Sequence, residues 1–151
     1  MTIEAFERVH LDGTGFDRIT EGEVVAVVRE AIAAGRGGRI ITPNIDVLRQ
    51  VQVNGRVKAY LEDADLIVAD GMPLVWASKL SGTPLPERVA GSSLIWSLSQ
   101  GLGRDGRSIL VIGGNPATPE EPDGATRALD VDDMLVPQLR LHVGLEDGDS
   151  A

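Results

Sequence analysis

The sequence contains no cysteine, few aromatic residues and no long apolar run. Without cysteine it has no disulfide framework, no thiolate metal site and no cysteine nucleophile. Aromatic residues make up 3% of the chain, so we expect a core of Val, Leu, Ile and Ala, with Trp76 and Trp96 on apolar helix faces inside it. No apolar run approaches the roughly 18 residues that span a bilayer, and the N-terminus lacks a signal-peptide pattern. These absences predict a cytoplasmic protein.

Basic residues are also few, with 14 Lys and Arg against 23 Asp and Glu, for a net charge of −9. The charge is uneven, because nine of the acids and only two of the basic residues lie after residue 118. Without a basic stripe, nucleic-acid binding is not expected. The two histidines, His10 and His142, lack metal-ligand spacing, so no metal site is predicted. A length of 151 residues predicts one domain.

Short apolar runs alternate with amphipathic stretches along the chain, which is typical of βα units. We predict an α/β fold, a Rossmann-like open parallel sheet of about five strands with helices on both faces. The predicted strands are 7–11, 39–41, 66–69, 108–112 and 139–143. Thr20 and Glu23 form a capping box at the start of the first helix, and Ser92 or Ser93 is the predicted cap of a later one.

Three predicted strands end in residues that carry chemistry: Thr42-Pro43-Asn44, Asp70-Gly71 and Gly113-Gly114. The carboxyl ends of parallel strands meet at one edge of a sheet, so these residues would line one crevice. Helix N-termini that follow such turns bind anions, and glycine lets a phosphate approach the backbone. One acid, one hydroxyl, one side-chain amide and bare backbone amides suit a nucleotide-diphosphate ligand and a proton transfer.

Each of these residues also has a purely structural interpretation. Asp70 could equally cap the helix that follows it, and Thr42 and Asn44 more often cap a turn than bind a ligand. Gly113-Gly114 serves many βα turns, and it matches neither the dinucleotide fingerprint nor a Walker motif. Arg88, taken alone, reads as an ordinary surface arginine.

Four segments together resemble the signature of the WecG/TagA/CpsF glycosyltransferases. Two of them are Asp-Gly-Met-Pro-Leu-Val-Trp at 70–76 and Pro-Leu-Pro-Glu-Arg-Val-Ala-Gly at 84–91. Thr-Pro-Asn at 42–44 and Ile-Gly-Gly-Asn-Pro at 112–116 resemble the family's flanking motifs in order and spacing. The combination is far more specific than any one motif.

The resemblance runs from about Leu11 to Pro116 and implies a domain organisation. Residues 1–116 would form a family-like glycosyltransferase core. Residues 117–151 would be a divergent acidic C-terminal segment of the same domain, partly disordered. Members of the family normally continue further, so the resemblance implies a C-terminally truncated form without the appendage that the family uses at the membrane.

The family resemblance also implies an activity. It is the transfer of a sugar of the N-acetylmannosamine type from a UDP-sugar to a polyprenyl-diphosphate-linked acceptor, with inversion. The product would enter cell-surface polysaccharide or teichoic acid. Asp70 would be the general base, with no metal ion or cofactor, and the protein would lie in the cytoplasm or peripherally at the inner face of the membrane. The implied substrate-binding residues are Thr42, Asn44, Gly71, Arg88, Gly113 and Gly114.

Two other interpretations remain open on the residues alone. The chain could be a non-catalytic nucleotide-sugar-binding module, an oligomerisation module or a truncated remnant, because Gly113-Gly114-Asn115-Pro116-Ala117 departs from the family's Gly-Gly-Lys-Pro-Gly. A homo-oligomer is compatible with either interpretation. A small Rossmann-type oxidoreductase is disfavoured, because the dinucleotide glycine fingerprint is missing.

Overall fold

The computed structural model describes residues 6–109 and 141–142, which form a mixed α/β structure. The strands are β1 (Arg8–Leu11), β2 (Thr14–Asp17), β3 (Arg39–Ile41), β4 (Leu66–Ile67) and β5 (Leu141–His142). The helices are α1 (Glu21–Ala33), α2 (Ile45–Val53), α3 (Gly55–Glu62), α4 (Met72–Leu80) and α5 (Gly91–Arg104). Among the described residues, no helix has both the length and the apolar composition needed to cross a bilayer.

The central sheet has three strands within the described residues, in the order β4-β3-β5. β3 and β4 are parallel, with Ile40 opposite Leu66. β5 is antiparallel to β3, with Arg39 opposite His142, so the prediction that this strand belongs to a wholly parallel sheet is wrong. Most of the predicted strand 108–112 lies outside the described residues. One parallel pair is therefore observed, and a parallel sheet of about five strands is not established.

β1 and β2 form a separate antiparallel hairpin, so the expectation that residues 7–11 open the parallel sheet is also wrong. The turn is Asp12-Gly13, with φ of 48° and 78°. Positive φ at both central residues is the geometry for which an Asp-Gly pair is selected in tight hairpins. The hairpin joins the central sheet through Asp17, whose buried carboxylate accepts a hydrogen bond of 2.7 Å from the Ile67 N–H.

Both faces of β4 and of the residues after it are covered by apolar side chains. Successive side chains of a strand point to opposite faces, so Leu66 and Val68 pack on one face and Ile67 and Ala69 on the other. The first face packs against α1 and α5, with buried residues Ile19, Val24, Val28, Ile32, Ile40, Val89, Leu94, Leu98 and Leu102. The second packs against the hairpin, α2, α3 and α4, with buried residues Val9, Leu11, Phe16, Val47, Leu48, Leu61, Leu74 and Leu85.

Of the two predicted helix caps, the one at α1 is confirmed and the one at α5 is wrong. At α1 the capping box is confirmed, because the Thr20 hydroxyl accepts from the Glu23 N–H and the Glu23 carboxylate accepts from the Thr20 N–H. At α5 the predicted serine cap is wrong: the helix begins at Gly91, after Ala90, without a side-chain cap. The Ser93 hydroxyl instead donates to the Glu21 carboxylate at 2.7 Å, tying α5 to α1.

Both tryptophans lie at the surface, so their predicted core positions are wrong. Trp76 is 57% exposed on α4 and Trp96 is 73% exposed on α5. α4 buries Leu74 and Val75, which point about 200° and 100° away from Trp76 around the helix axis. Because its exposed side is also apolar, the pattern of α4 alone could not tell which side faces the core.

Candidate active site

The ends of β3 and β4 continue side by side beyond the regular strands. The Val68 N–H donates to the Ile41 carbonyl at 3.0 Å, and the Asp70 N–H donates to the Pro43 carbonyl at 3.1 Å. These two bonds place Thr42-Pro43-Asn44 against the segment that ends in Asp70. The structure thus brings together two of the three strand ends singled out in the sequence, while Gly113-Gly114 lies outside the described residues.

Asp70 is half-buried and does not cap the helix that follows it. Gly71 is the N-cap residue, directly before the first helical residue Met72. No described side chain accepts a hydrogen bond from the first amides of the helix. Within residues 6–109, no hydrogen bond or ion pair engages the Asp70 carboxylate. Gly71 has a φ of 152°, in the region open mainly to glycine, and this lets the chain turn directly from strand to helix. The alternative interpretation, in which Asp70 caps the helix that follows it, is therefore wrong.

Asn44 and Thr42 differ in how their side chains are used. The Asn44 Oδ1 accepts from the Asp46 and Val47 N–H groups, both at 3.1 Å, so Asn44 caps α2. Its Nδ2 amide makes no bond to another described residue. Thr42 is 7% exposed, and its hydroxyl likewise has no hydrogen bond within the described part of the chain. A ligand could therefore use the Thr42 hydroxyl and the Asn44 Nδ2 amide, although the Asn44 Oδ1 already serves as a helix cap.

Arg88 lies in a short loop that is anchored on both sides. Leu85 and Val89 are 3% and 1% exposed, one in each core cluster. The Leu85 N–H donates to the Ser78 hydroxyl at 2.9 Å, and the Val89 N–H donates to the Ala69 carbonyl at 2.9 Å. Arg88 is exposed between these anchors and has no ion-pair partner among the described residues.

The Val89–Ala69 hydrogen bond brings the Arg88 loop against the end of the strand that carries Asp70. Arg88 and Asp70 each lie one residue from that bond. A carboxylate and a guanidinium that are both unpartnered in the described structure are thereby held at one edge of the sheet. Such an arrangement can bind an anion and take up a proton at neighbouring points.

Glu87 fixes the same loop from its other side, a role that the sequence analysis missed. Its carboxylate accepts from the Glu21 N–H at 2.6 Å, at the first turn of α1. Negative charge is favourable at a helix N-terminus, because the first amides and the helix dipole are positive there. The Glu21 carboxylate in turn accepts from Ser93 and Ser97 of α5. Glu87 thus ties the loop that carries Arg88 to the start of α1.

The helix N-termini near the site differ in how many amides they leave free. In α4 the second residue is Pro73, which has no N–H. In α5 the first helical bond comes from the Leu94 N–H to the Ala90 carbonyl, and the amides of 91–93 have no acceptor in the described residues. From the sequence, anion binding was expected at the helix N-termini that follow the turns at 42–44, 70–71 and 113–114. The described structure favours the start of α5, which follows Arg88 by three residues.

A comparison with known protein families identifies the chain. Residues 9–129 match the sequence model described as "Glycosyl transferase WecG/TagA/CpsF family". The chain belongs to this family. The resemblance drawn from the four motifs is confirmed, and the match extends past Pro116, where that resemblance ended.

One curated relative is the N-acetylglucosaminyldiphosphoundecaprenol N-acetyl-beta-D-mannosaminyltransferase of Bacillus spizizenii. It is 41% identical over 63 residues, which are 42% of this chain and 24% of the relative. The match thus spans about a quarter of the relative's length. The enzyme class of the family is a glycosyl transferase, and Asp70, Arg88 and the amides of 91–93 are the groups whose arrangement fits such chemistry.

Proposed function

We propose that the chain transfers a sugar of the N-acetylmannosamine type from a UDP-sugar to a polyprenyl-diphosphate-linked acceptor sugar. The observation that carries the proposal is the Asp70 carboxylate, which has no partner in residues 6–109 and lies beside the anchored Arg88 loop, in a member of a glycosyl transferase family. The name of the Bacillus relative supports both the sugar and the acceptor. The product would feed teichoic acid or another cell-surface polysaccharide.

Asp70 is the general base of the proposed reaction. Its carboxylate takes the proton of the acceptor hydroxyl while that oxygen forms a bond to the donor's anomeric carbon. The bond from this carbon to the UDP oxygen breaks, and UDP leaves with the electron pair. A single displacement of this kind inverts the anomeric centre. General-base assistance by a positioned side chain is worth about 10²- to 10⁴-fold in rate.

The departing UDP carries negative charge that the enzyme must stabilise. Arg88 offers a guanidinium that can form two parallel hydrogen bonds to a phosphate, and the amides of 91–93 offer donors at a helix N-terminus. Donors that are already in place lower the cost of forming that charge. Gly113-Gly114, proposed as a further contact to the diphosphate, lies outside the described residues.

The remaining predicted residues would shape the substrate pocket. Thr42 and the Asn44 Nδ2 amide lie beside the Asp70 segment and would contact the donor or acceptor sugar. We propose that Gly71 lets the substrate approach the backbone at this point. The parallel β3–β4 pair, with helices on both faces, supports a Rossmann-like sheet for the whole domain.

The acceptor lipid would also determine where the protein works. A polyprenyl-diphosphate acceptor resides in the membrane, while UDP-sugars are cytoplasmic metabolites. We propose a cytoplasmic protein that acts peripherally at the inner face of the membrane.

Two measurements test the proposed function. Isothermal titration with UDP, UDP-N-acetylmannosamine and UDP-N-acetylglucosamine should show UDP-sugar binding, weakened in Arg88→Ala. Incubation of the donor with polyprenyl-diphosphate N-acetylglucosamine should release UDP and form the disaccharide lipid. Absence of UDP-sugar binding would contradict the proposal. Binding without transfer would support a nucleotide-sugar-binding module instead.

A further inference from the structure

Helix α4 carries an exposed apolar stripe on the side away from the core. Met72, Trp76 and Leu80 are spaced four residues apart, so they lie on one side of the helix. They are 39%, 57% and 90% exposed, while Leu74 on the opposite side and Val75 at the flank of the stripe are buried. The stripe therefore lies outside the face through which α4 packs against the core.

The stripe begins at the candidate active site. Met72 is two residues beyond Asp70, and Leu80 is at the far end of the helix. Eight residues of helical rise separate the two ends, a distance of about 12 Å. A ligand that lies along the stripe with one end at Met72 would present that end to Asp70.

The charge of this surface differs from that of the protein as a whole. From Met72 to Pro84 the chain has no acidic residue, and its one charged side chain is the exposed Lys79. The whole protein, in contrast, has a net charge of −9. The absence of acidic residues from this segment suits an apolar chain attached to an anionic group, because no carboxylate of the segment repels that group.

The other exposed large apolar side chains of the described residues are Ile45 and Val53, at opposite ends of α2, and Trp96 on α5, and they do not form such a surface. Trp96 is flanked along its helix by Ser92 and Ser99, and Val53 lies at the end of α2 beside Gln52. Isolated exposed apolar residues are common on protein surfaces and require no partner. Trp96 at 73% is more exposed than Trp76 at 57%, and Val53 at 86% is close to Leu80 at 90%, which makes them suitable controls.

We propose that the α4 stripe (Met72, Trp76 and Leu80) binds the polyprenyl chain of the acceptor next to its diphosphate. The inference rests on the proposed function, which brings a polyprenyl-diphosphate-linked sugar to Asp70. A chain that lies along the stripe covers apolar surface of both partners and orients the acceptor sugar toward the base. Affinity then depends on the length of the chain.

The test uses prenyl diphosphates of increasing length with the full chain. Geranyl, farnesyl and geranylgeranyl diphosphate are titrated calorimetrically, with inorganic diphosphate as the reference without an apolar chain. We expect affinity to rise about tenfold for each isoprene unit that lies on the stripe, the gain for burying roughly 60 Å² of apolar surface, and to level off once the chain is longer than the stripe's length of about 12 Å. Trp76→Ala and Leu80→Asn should abolish this dependence, and the matched controls Trp96→Ala and Val53→Asn should retain it.

Three results would overturn the proposal. The first is an affinity that does not depend on chain length, or a dependence that Trp76→Ala and Leu80→Asn leave intact. The second is burial of Trp76 before any ligand is added, seen in Trp96→Phe as blue-shifted emission, because another segment or a second copy would then cover the stripe. The third is the same emission shift with phosphatidylglycerol vesicles that contain no prenyl lipid, because the occupant would then be the bilayer.

UDP titration of the same variants separates this inference from the proposed function. Trp76→Ala should bind UDP as the unaltered protein does, because the stripe does not contact the nucleotide. If the unaltered protein does not bind UDP but its affinity for prenyl diphosphates still depends on chain length, only the proposed function is overturned. If UDP binds normally but the affinity for prenyl diphosphates does not depend on chain length, only the proposed role of the α4 stripe is overturned.

Discussion

Asp17, at the end of β2, and Asp70, after β4, are acids in similar places that are used in opposite ways. Asp17 is 4% exposed, and its carboxylate accepts from the Ile67 N–H and from the Arg8 guanidinium at 3.0 Å. Asp70 is half-buried and has no partner in residues 6–109. A buried charge must be paired to be tolerated, whereas an unpaired carboxylate at a strand end remains available for chemistry. The same residue type serves the fold at one place and is free for a reaction at the other.

The arginines show the same contrast. Arg29 of α1 donates to both carboxylate oxygens of Asp105, each at 2.6 Å, and so joins α1 to the end of α5. Arg88 has no ion-pair partner among the described residues, although its loop is anchored on both sides. Arg29 thus holds two helices together, whereas the Arg88 guanidinium has no partner in residues 6–109 and remains available for a ligand.

The largest expected effect comes from neutralising the unpaired acid. Asp70→Asn should lower turnover by about 10²- to 10⁴-fold, because the amide cannot take the acceptor's proton. Its free energy of unfolding should change by less than about 0.5 kcal/mol, because the half-buried carboxylate makes no hydrogen bond or ion pair in residues 6–109. Initial rates of UDP release and urea unfolding measure the two quantities. Glu30→Gln, an exposed carboxylate of α1, is the control, and turnover of Asp70→Asn equal to that of this control would remove Asp70 from the mechanism.

The paired acid should give the converse result. Asp17→Ala should lower the free energy of unfolding by about 3 kcal/mol, because it leaves the buried Ile67 N–H and the Arg8 guanidinium without their acceptor. Glu7→Ala removes an acid from an exposed pair with Arg18, which should cost less than about 1 kcal/mol. Urea unfolding compares them. Equal losses of unfolding free energy in the two variants would show that the buried bonds of Asp17 contribute no more to stability than the exposed Glu7–Arg18 pair.

Glu87 should have a smaller effect that reaches the site through Arg88. Glu87→Ala removes the acceptor at the N-terminus of α1 and should cost about 1 kcal/mol in stability. It should also weaken UDP binding, because the Arg88 loop loses one of its anchors. In an Arg88→Ala background the same change should leave UDP binding unaltered, since coupled residues are not additive. An additive loss in a calorimetric double-mutant cycle would show that Glu87 does not act through Arg88.

The smallest expected effect is a pH dependence at the Arg29–Asp105 pair. The hydrogen bonds from Arg29 hold the pKa of Asp105 below its ordinary value. The unfolded chain therefore takes up the proton first, and the pair's contribution is full above the ordinary carboxyl pKa. It is lost as the pH falls through the lower folded pKa. The stability difference between the protein and Asp105→Asn, followed by urea unfolding, should thus vanish in acid, and a difference that persists there would contradict this.

Local sequence was sufficient to find one helix start and to mark Asp70 as a candidate. The apolar run from Leu66 to Ala69 ends in Asp70-Gly71, which indicated an acid at a strand end but left open whether it caps the next helix. Arg88 was singled out only by the family resemblance. The capping box at Thr20 and Glu23 needed only a spacing of three residues. The hairpin could have been found as well, because Asp12-Gly13 is a strong turn signal between two short strands.

The remaining features depend on contacts between distant parts of the chain. The Asp17 carboxylate bonds to an amide 50 residues away, and the Glu87 carboxylate to one 66 residues away. No periodicity encodes such pairs, so the anchoring of the Arg88 loop was not predictable. The exposure of Trp76 was missed for another reason, because α4 is apolar on both sides and only its packing shows which side is buried.

The most direct test of the account is chemical rescue of the missing carboxylate. Asp70→Ala leaves a space where the base stood, and added formate can supply a carboxylate there. We predict that Asp70→Ala is nearly inactive, that formate raises its turnover in a saturable way, and that formate does not stimulate the unaltered protein. Turnover of Asp70→Ala at the unaltered rate without formate, or no response to formate in a folded variant that binds UDP-sugar, would contradict the role of Asp70 as the base.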